Sequence, residues 1–124
     1  MAAEVHPHPQ LAVSAAIFRD DKILLVRRAR SPAKGFYSLP GGRVEFGESL
    51  HIALHREVDE ETALKIEIAG LAGWREVLPA ASGEPVLNDE LDDFKWLRPD
   101  ALGDLKVTGG LADVIQQARR LLRT

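Results

Sequence analysis

The stretch LHIALHREVDEET, residues 50–62, constrains this chain more than any other. From about Ser49 to Thr62 the pattern is helical. Laid out at about 100° per residue, Ala53, Leu54 and Val58 fall within about 80° of Leu50 and form the stripe expected to face a core. Glu57 and Glu61 fall about 20° to either side of Leu50, inside that stripe, and Glu60 borders it near Ala53. His51, His55 and Asp59 point toward solvent. A run of charge is ordinarily a solvated helix face, but these positions exclude that reading. Ionised carboxylates buried without partners are costly, so the stripe needs a cation against it. Arg56 can offset one charge and not three. Three oxygen-bearing side chains at i, i+3 and i+4 suit a hard, oxygen-preferring ion, with Mg²⁺ the default and Mn²⁺ its substitute.

The loop upstream adds to this. In SPAKGFYSLPGG (31–42), Pro40-Gly41-Gly42 lets backbone approach a ligand closely, offering carbonyls to a metal or N–H groups to phosphate. Mg²⁺ bound by few carboxylates completes its shell with water and substrate phosphates. The residues therefore ask for a phosphate-bearing substrate.

The rest of the chain supplies a scaffold. LAVSAAIF (11–18) and KILLVRR (22–28) read as a hairpin turning at Asp20-Asp21. FYSL within the loop reads as a short strand. KIEIAGLAGWREVL (65–78) reads as one or two strands broken at Gly70 and Gly73, and FKWL (94–97) as another. Leu111, Val114, Ile115, Ala118, Leu121 and Leu122 mark an amphipathic C-terminal helix. The expected fold class is α/β (α+β), a mixed sheet between helices. Residues 1–10, with His6 and His8 alternating with prolines, read as a flexible tail, and 11–124 as one domain.

At 124 residues the chain can bury a real core. A net charge of −3 argues against polymeric nucleic acid or an anionic membrane as partners. No cysteine is present, which rules out a disulfide framework, a thiolate zinc site and a cysteine nucleophile. That fits a reducing, cytoplasmic setting.

Read from Gly42, GRVEFGESLHIALHREVDEETAL resembles the Nudix box, G-x5-E-x7-R-E-U-x-E-E-x-G-U, with U a bulky aliphatic. Gly42, Glu48, Arg56, Glu57, Val58, Glu60, Glu61 and Leu64 match in register. The resemblance extends from about residue 11 to about residue 107. It implies a Nudix-type mixed sheet sandwiched between helices and a metal-dependent hydrolase of the pyrophosphate bond in a nucleoside diphosphate linked to another moiety. By the same resemblance Glu57, Glu60 and Glu61 hold the metal with the Gly41 carbonyl, and Arg56 orients a glutamate, Glu57 first. Glu48 is either structural or a further ligand. An acid from a later loop serves as extra ligand or general base: Glu90, with Asp89 and Asp92 behind it.

Two positions depart from the family pattern. Ala63 replaces the box's last glycine, where a left-handed residue would end the helix at a cost of roughly 1 to 2 kcal/mol. Between Leu78 and Glu90 there is no strand-like run where relatives carry one, so one central strand is in question.

The hairpin and DLKVTGGL are most similar to the ADP-ribose pyrophosphatase branch, implying a small-molecule nucleotide, ADP-ribose, as substrate. Phe36 or Tyr37 is placed to stack on a base, and Arg27, Arg28 or Arg43 to hold phosphate. Core packing is the competing reading for the aromatics, as solvent is for the arginines; Trp74 and Trp96 read as core. The alternatives are a nucleoside triphosphate pyrophosphohydrolase, including one acting on oxidised dGTP, and a non-catalytic nucleotide-sensing module. Many relatives are dimers, so a homodimer is among the expected partners.

Overall fold

A computed structural model describes residues 11–31, 33–68, 70–72, 75–78 and 84–122. The N-terminal tail and Trp74 lie outside them.

The expected hairpin is present as β1 (Ala12–Arg19) and β2 (Lys22–Arg28). Asp20 and Asp21 both take positive φ, 51° and 65°, between the paired residues Arg19 and Lys22. A two-residue turn of that hand matches the natural twist of the strands, and aspartate tolerates the left-handed region. The strands pair only next to this turn, at Phe18–Ile23 and Arg19–Lys22, and then part. Chain from the following loop takes up the opening: β3 (Tyr37–Ser38) pairs with β2, and β4 (Gly41–Arg43) pairs with β1. Gly41 and Gly42 are expected in a loop. They form a strand instead, because pairing with Val13 and Ser14 outweighs glycine's poor strand propensity.

The helix α1 (Leu50–Thr62) follows, then β5 (Gly70–Ala72) and β6 (Arg75–Leu78), β7 (Leu91–Leu97) and α2 (Leu111–Leu122). Of the 65–78 segment, only these two short strands form among the described residues; 65–68 is in no strand. The sheet order is β3-β2-β1-β6-β5, with β4 also on β1 and β7 also on β2. Among the described strand pairs β1–β6 is parallel and the others antiparallel. Residues 84–90 form no strand, so no further strand appears between Leu78 and Leu91 among the described residues.

Strand alternation sorts the core into two layers. Ala15, Ile17, Leu24 and Val26 face α1, packing with Leu54 and Val58 and with Phe94 and Trp96 of β7. Ala16, Ile23 and Leu25 face the other way, toward Leu111, Ile115 and Ala118 of α2. The result is a mixed sheet with one helix on each face. Trp96 joins the core as expected, with the Arg19 guanidinium 4.3 Å from its ring centre. Among the described residues no helix is long and apolar enough to cross a membrane.

Candidate active site

Ser49 starts α1, its hydroxyl accepting the Ile52 N–H at 3.2 Å. From there the helical wheel holds with one exception. Ala53, Leu54, Val58 and Glu61 are buried, while His51, His55 and Asp59 are exposed. Leu50, expected in the stripe, is 39% exposed because the core that α1 faces begins a turn later, at Ala53 and Leu54.

Glu57 and Glu61 lie against β4. The Gly41 N–H donates to Glu61 Oε1 at 3.0 Å. A Cβ on Gly42 would stand 2.3 Å from the Glu57 carboxylate, and one on Gly41 would stand 2.1 Å from the Val13 carbonyl oxygen. Both glycines are thus required by close approach: one edge of β4 touches β1 and its surface receives two glutamates. The expectation that this loop opens backbone to a ligand is refined, since the nearest partners are the carboxylates of the protein's own helix.

Burial governs the charge state of these acids. Glu61 is only 5% exposed, and burial pushes its carboxyl up to about 7. The Gly41 N–H opposes the shift; the charges of Glu57 and Glu90 add to it and Arg28 pulls it back. Glu57 is also raised, by burial first, with Arg56 opposing. Glu60 is more open, its side chain 54% exposed, and reaches the group through Arg56.

Arg56 ties the ensemble together with all five N–H groups. Nε and Nη2 grip Glu48 at 2.6 and 2.8 Å, Nη1 reaches Glu57 at 3.0 Å and Glu60 at 3.2 Å, and Nη2 also donates to the Arg43 carbonyl at 3.0 Å. Its closest partner is therefore Glu48, ahead of the expected Glu57. A forked guanidinium fits both oxygens of one carboxylate, and Glu48 lies in the loop that folds back over α1. Glu48 also accepts the Glu45 N–H at 2.8 Å. Held by Arg56 first and that N–H second, its carboxyl falls to about 2. Of the two readings of Glu48, this geometry is that of a structural clamp.

The loop 84–90 returns to the same end of α1. The Val86 N–H donates to the Thr62 carbonyl at 2.7 Å, and Asn88 N–H to the Glu61 carbonyl at 3.3 Å. Asp89 pairs outward with Arg30 and Asp92 with Arg27, whereas the charge of Glu90 acts on both Glu57 and Glu61. Among Asp89, Glu90 and Asp92, the last of which lies in β7, Glu90 is the one the fold associates with the buried pair. Arg27 is correspondingly committed to Asp92 at 2.6 Å rather than offered to phosphate.

Arg28 joins the group through its effect on Glu61, and its N–H donates to the Phe36 carbonyl at 3.0 Å. Phe36 and Arg43 keep exposed side chains at the margin, and Arg43 enters the network only by its carbonyl. Tyr37 is buried in the opposite layer, its hydroxyl donating to Asp93, so the core reading holds for it. Sequence reasoning missed Asn88, whose side chain accepts the Glu90 N–H at 3.1 Å. The available signal was an asparagine two residues before the key acid, the spacing of an Asx turn.

Among the described residues, no group of three or more acidic or histidine side chains is placed to hold a metal ion as the side chains stand. The donor chemistry nonetheless fits a hard divalent cation. Glu57 and Glu61 are oxygen donors one turn apart, both made less acidic by burial, and a cation would relieve that cost.

The NUDIX domain model matches residues 8–118. This chain belongs to the Nudix family. Nudix hydrolases generally need divalent metal ions, in keeping with the donor set. An ADP-ribose pyrophosphatase from Methanocaldococcus jannaschii is 47% identical over 66 residues, 53% of this chain and 39% of the relative. The NAD-capped RNA hydrolase NudC of Pseudomonas aeruginosa is 33% identical over 124 residues, 87% of this chain and 44% of the relative. The chain thus spans less than half the length of these curated relatives. Among solved structures, an ADP-ribose pyrophosphatase from Streptococcus suis superposes with a TM-score of 0.81 at 26% identity, covering 94% of each chain.

Proposed function

We propose that this Nudix chain is a cytoplasmic hydrolase of the pyrophosphate bond in a nucleoside diphosphate linked to another moiety, with ADP-ribose giving AMP and ribose 5-phosphate. The observation that carries the reading is Glu61: a buried carboxylate beside Glu57, within reach of the charge of Glu90, on a helix that gains nothing from holding them there. ADP-ribose is favoured because an ADP-ribose pyrophosphatase is among both the sequence relatives and the structural neighbours.

A divalent ion, Mg²⁺ first and Mn²⁺ as its substitute, would be held by Glu57, Glu60, Glu61 and the Gly41 carbonyl, and would neutralise phosphate oxygens and acidify water. The chain's own residues do the remainder. Glu90 takes the proton from the attacking water at its carboxylate, or joins the ligands. Arg56, anchored by Glu48, fixes Glu57 and Glu60 in direction. Arg28 and Arg43 receive phosphate oxygens, and Phe36 offers its ring at the margin to the base.

The test is incubation with Mg²⁺ and ADP-ribose, NAD, nucleoside triphosphates including oxidised dGTP, and dinucleoside polyphosphates, with Glu61→Gln alongside. AMP released from ADP-ribose by the native protein and not by the variant supports both reaction and substrate. Pyrophosphate from a triphosphate keeps the reaction and rejects the substrate. Nucleotide binding with no product from any of them rejects the enzyme in favour of a sensing module.

A further inference from the structure

Glu90 stands in an exposed turn, at the end of a loop that returns to the C-terminal end of α1, where Glu61 lies. Its retention there needs a cause. Asn88 supplies links to both sides. Its N–H donates to the carbonyl of Glu61, the residue that bears the buried acid, at 3.3 Å. Its side-chain Oδ1 accepts the Glu90 N–H at 3.1 Å, and its carbonyl accepts the Leu91 N–H at 3.3 Å. On the far side the Ala29 N–H donates to the Glu90 carbonyl at 2.8 Å, tying that peptide to the end of β2. Glu90 is thus held at both its backbone N–H and its carbonyl. Only the first of those two bonds is made by a side chain, and so only that one depends on residue choice.

We propose that Asn88 is a positioning residue for hydrolysis: its side-chain amide oxygen fixes the backbone at Glu90 and so holds the Glu90 side chain at the end of α1 that carries Glu57 and Glu61. The inference rests on the reading of Glu90 as part of the hydrolytic site. A neutral acceptor suits the task, because aspartate here would add a fourth negative charge to the group. Serine accepts from the N–H two residues on, more weakly, without that charge.

The experiment measures steady-state kinetics on ADP-ribose with Mg²⁺ for the native protein, Asn88→Ala, Asn88→Ser, Glu90→Gln and the Asn88→Ala/Glu90→Gln pair. Asn88→Ala should lower kcat about 10-fold, the range for residues that orient metal-site groups from behind, with little change in KM. Asn88→Ser should recover most of the loss. In the Glu90→Gln background Asn88→Ala should cost nothing further, since it acts through a carboxylate already removed. Multiplying effects, a loss confined to KM, or full activity in Glu90→Gln would each overturn the proposal. Amide exchange at Glu90 provides a readout independent of turnover: protected in the native protein and Asn88→Ser, faster in Asn88→Ala. If the native protein hydrolyses nothing, the functional reading fails on its own account. Unchanged Glu90 protection in Asn88→Ala would overturn the Asn88 link whether or not the protein turns over.

Discussion

α1 and α2 cover opposite faces of one sheet, yet they are built on opposite plans. α2 places Asp113 in its first turn and Arg119 and Arg120 in its last, each at the end where the helix dipole favours it. Its buried residues, Leu111, Ile115 and Ala118, are all apolar. α1 has no acid in its first turn and no base in its last. It gathers Glu57, Glu60 and Glu61 toward the C-terminal end, where the dipole disfavours negative charge, and buries Glu61. α2 follows the rules of dipole and burial, and α1 departs from both. Stability alone explains α2. The violations in α1 concentrate at the residues read as metal ligands, which is where departures from local preference are expected to collect.

The comparison breaks most readily at Glu61. Glu61→Gln keeps the volume and loses the charge, so activity on ADP-ribose should fall by more than about 100-fold, beyond the loss typical of residues behind the ligands. Unfolding by urea should show the variant no less stable than the native protein at pH 8. A variant that is destabilised and still active would make α1 a structural helix like α2. The mirror experiment is Ile115→Ala, which removes a fully buried side chain from α2. It should cost about 2 to 5 kcal/mol of unfolding free energy and leave kcat per folded molecule unchanged. A fall in kcat at constant folded fraction would tie α2 to the chemistry.

Proton linkage sharpens the contrast within α1 and its approach loop. Glu61 titrates at about 7 when folded and near 4.5 when unfolded. Between those values the native state holds the extra proton, so metal-free stability falls as pH rises from about 4.5 to about 7 and then levels. Glu48 runs the other way. Its folded value, about 2, lies below 4.5, so its contribution is complete above pH 4.5 and is lost as pH falls through 2. Urea titrations at pH 5 and pH 8 should therefore show the native protein losing about 1 to 3 kcal/mol more than Glu61→Gln across that interval. Mg²⁺ at pH 8 should restore the native protein and not the variant. Equal losses in both would place the titrating group elsewhere.

Much of this was legible beforehand, and the reasons divide by range. The Asp20-Asp21 hairpin, the wheel of α1 and the stripe of α2 depend on neighbours within a turn or two, and they formed as read save at the helix ends, where Leu50, Leu121 and Leu122 are exposed. The strand at Gly41–Arg43 did not show itself, because its cause is lateral: a gap between parting strands and a Glu57 carboxylate that leaves no room for a Cβ. That Arg56 grips Glu48 ahead of Glu57 was equally hidden, since it depends on how the loop 44–49 folds back. The Asn88 link joins residues 61, 88 and 90, and only its local half leaves a mark in sequence. The acids and Arg56 were visible because they stand in a pattern; the long-range contacts through Glu48 and Asn88 follow none that a linear reading can test.

The smallest expected effect comes from the end of α1. Ala63 takes φ 59° and ψ 17°, and its N–H donates to the Asp59 carbonyl at 2.8 Å, the left-handed cap that the box's usual glycine would form. Alanine pays in steric strain for that conformation, on the order of 1 to 2 kcal/mol, and glycine does not. Glycine's greater freedom in the unfolded chain returns part of the difference. The Ala63 side chain is exposed, so its removal forfeits no packing. Ala63→Gly should therefore raise the unfolding free energy by about 0.5 to 1 kcal/mol, with kcat unchanged because the cap lies beyond Glu61. A gain of that size would show that even the local strain in α1 is separable from its chemistry. A fall in kcat with the gain in stability would instead mean that the strained cap helps to aim Glu61, and the contrast with α2 would then extend to the helix terminus.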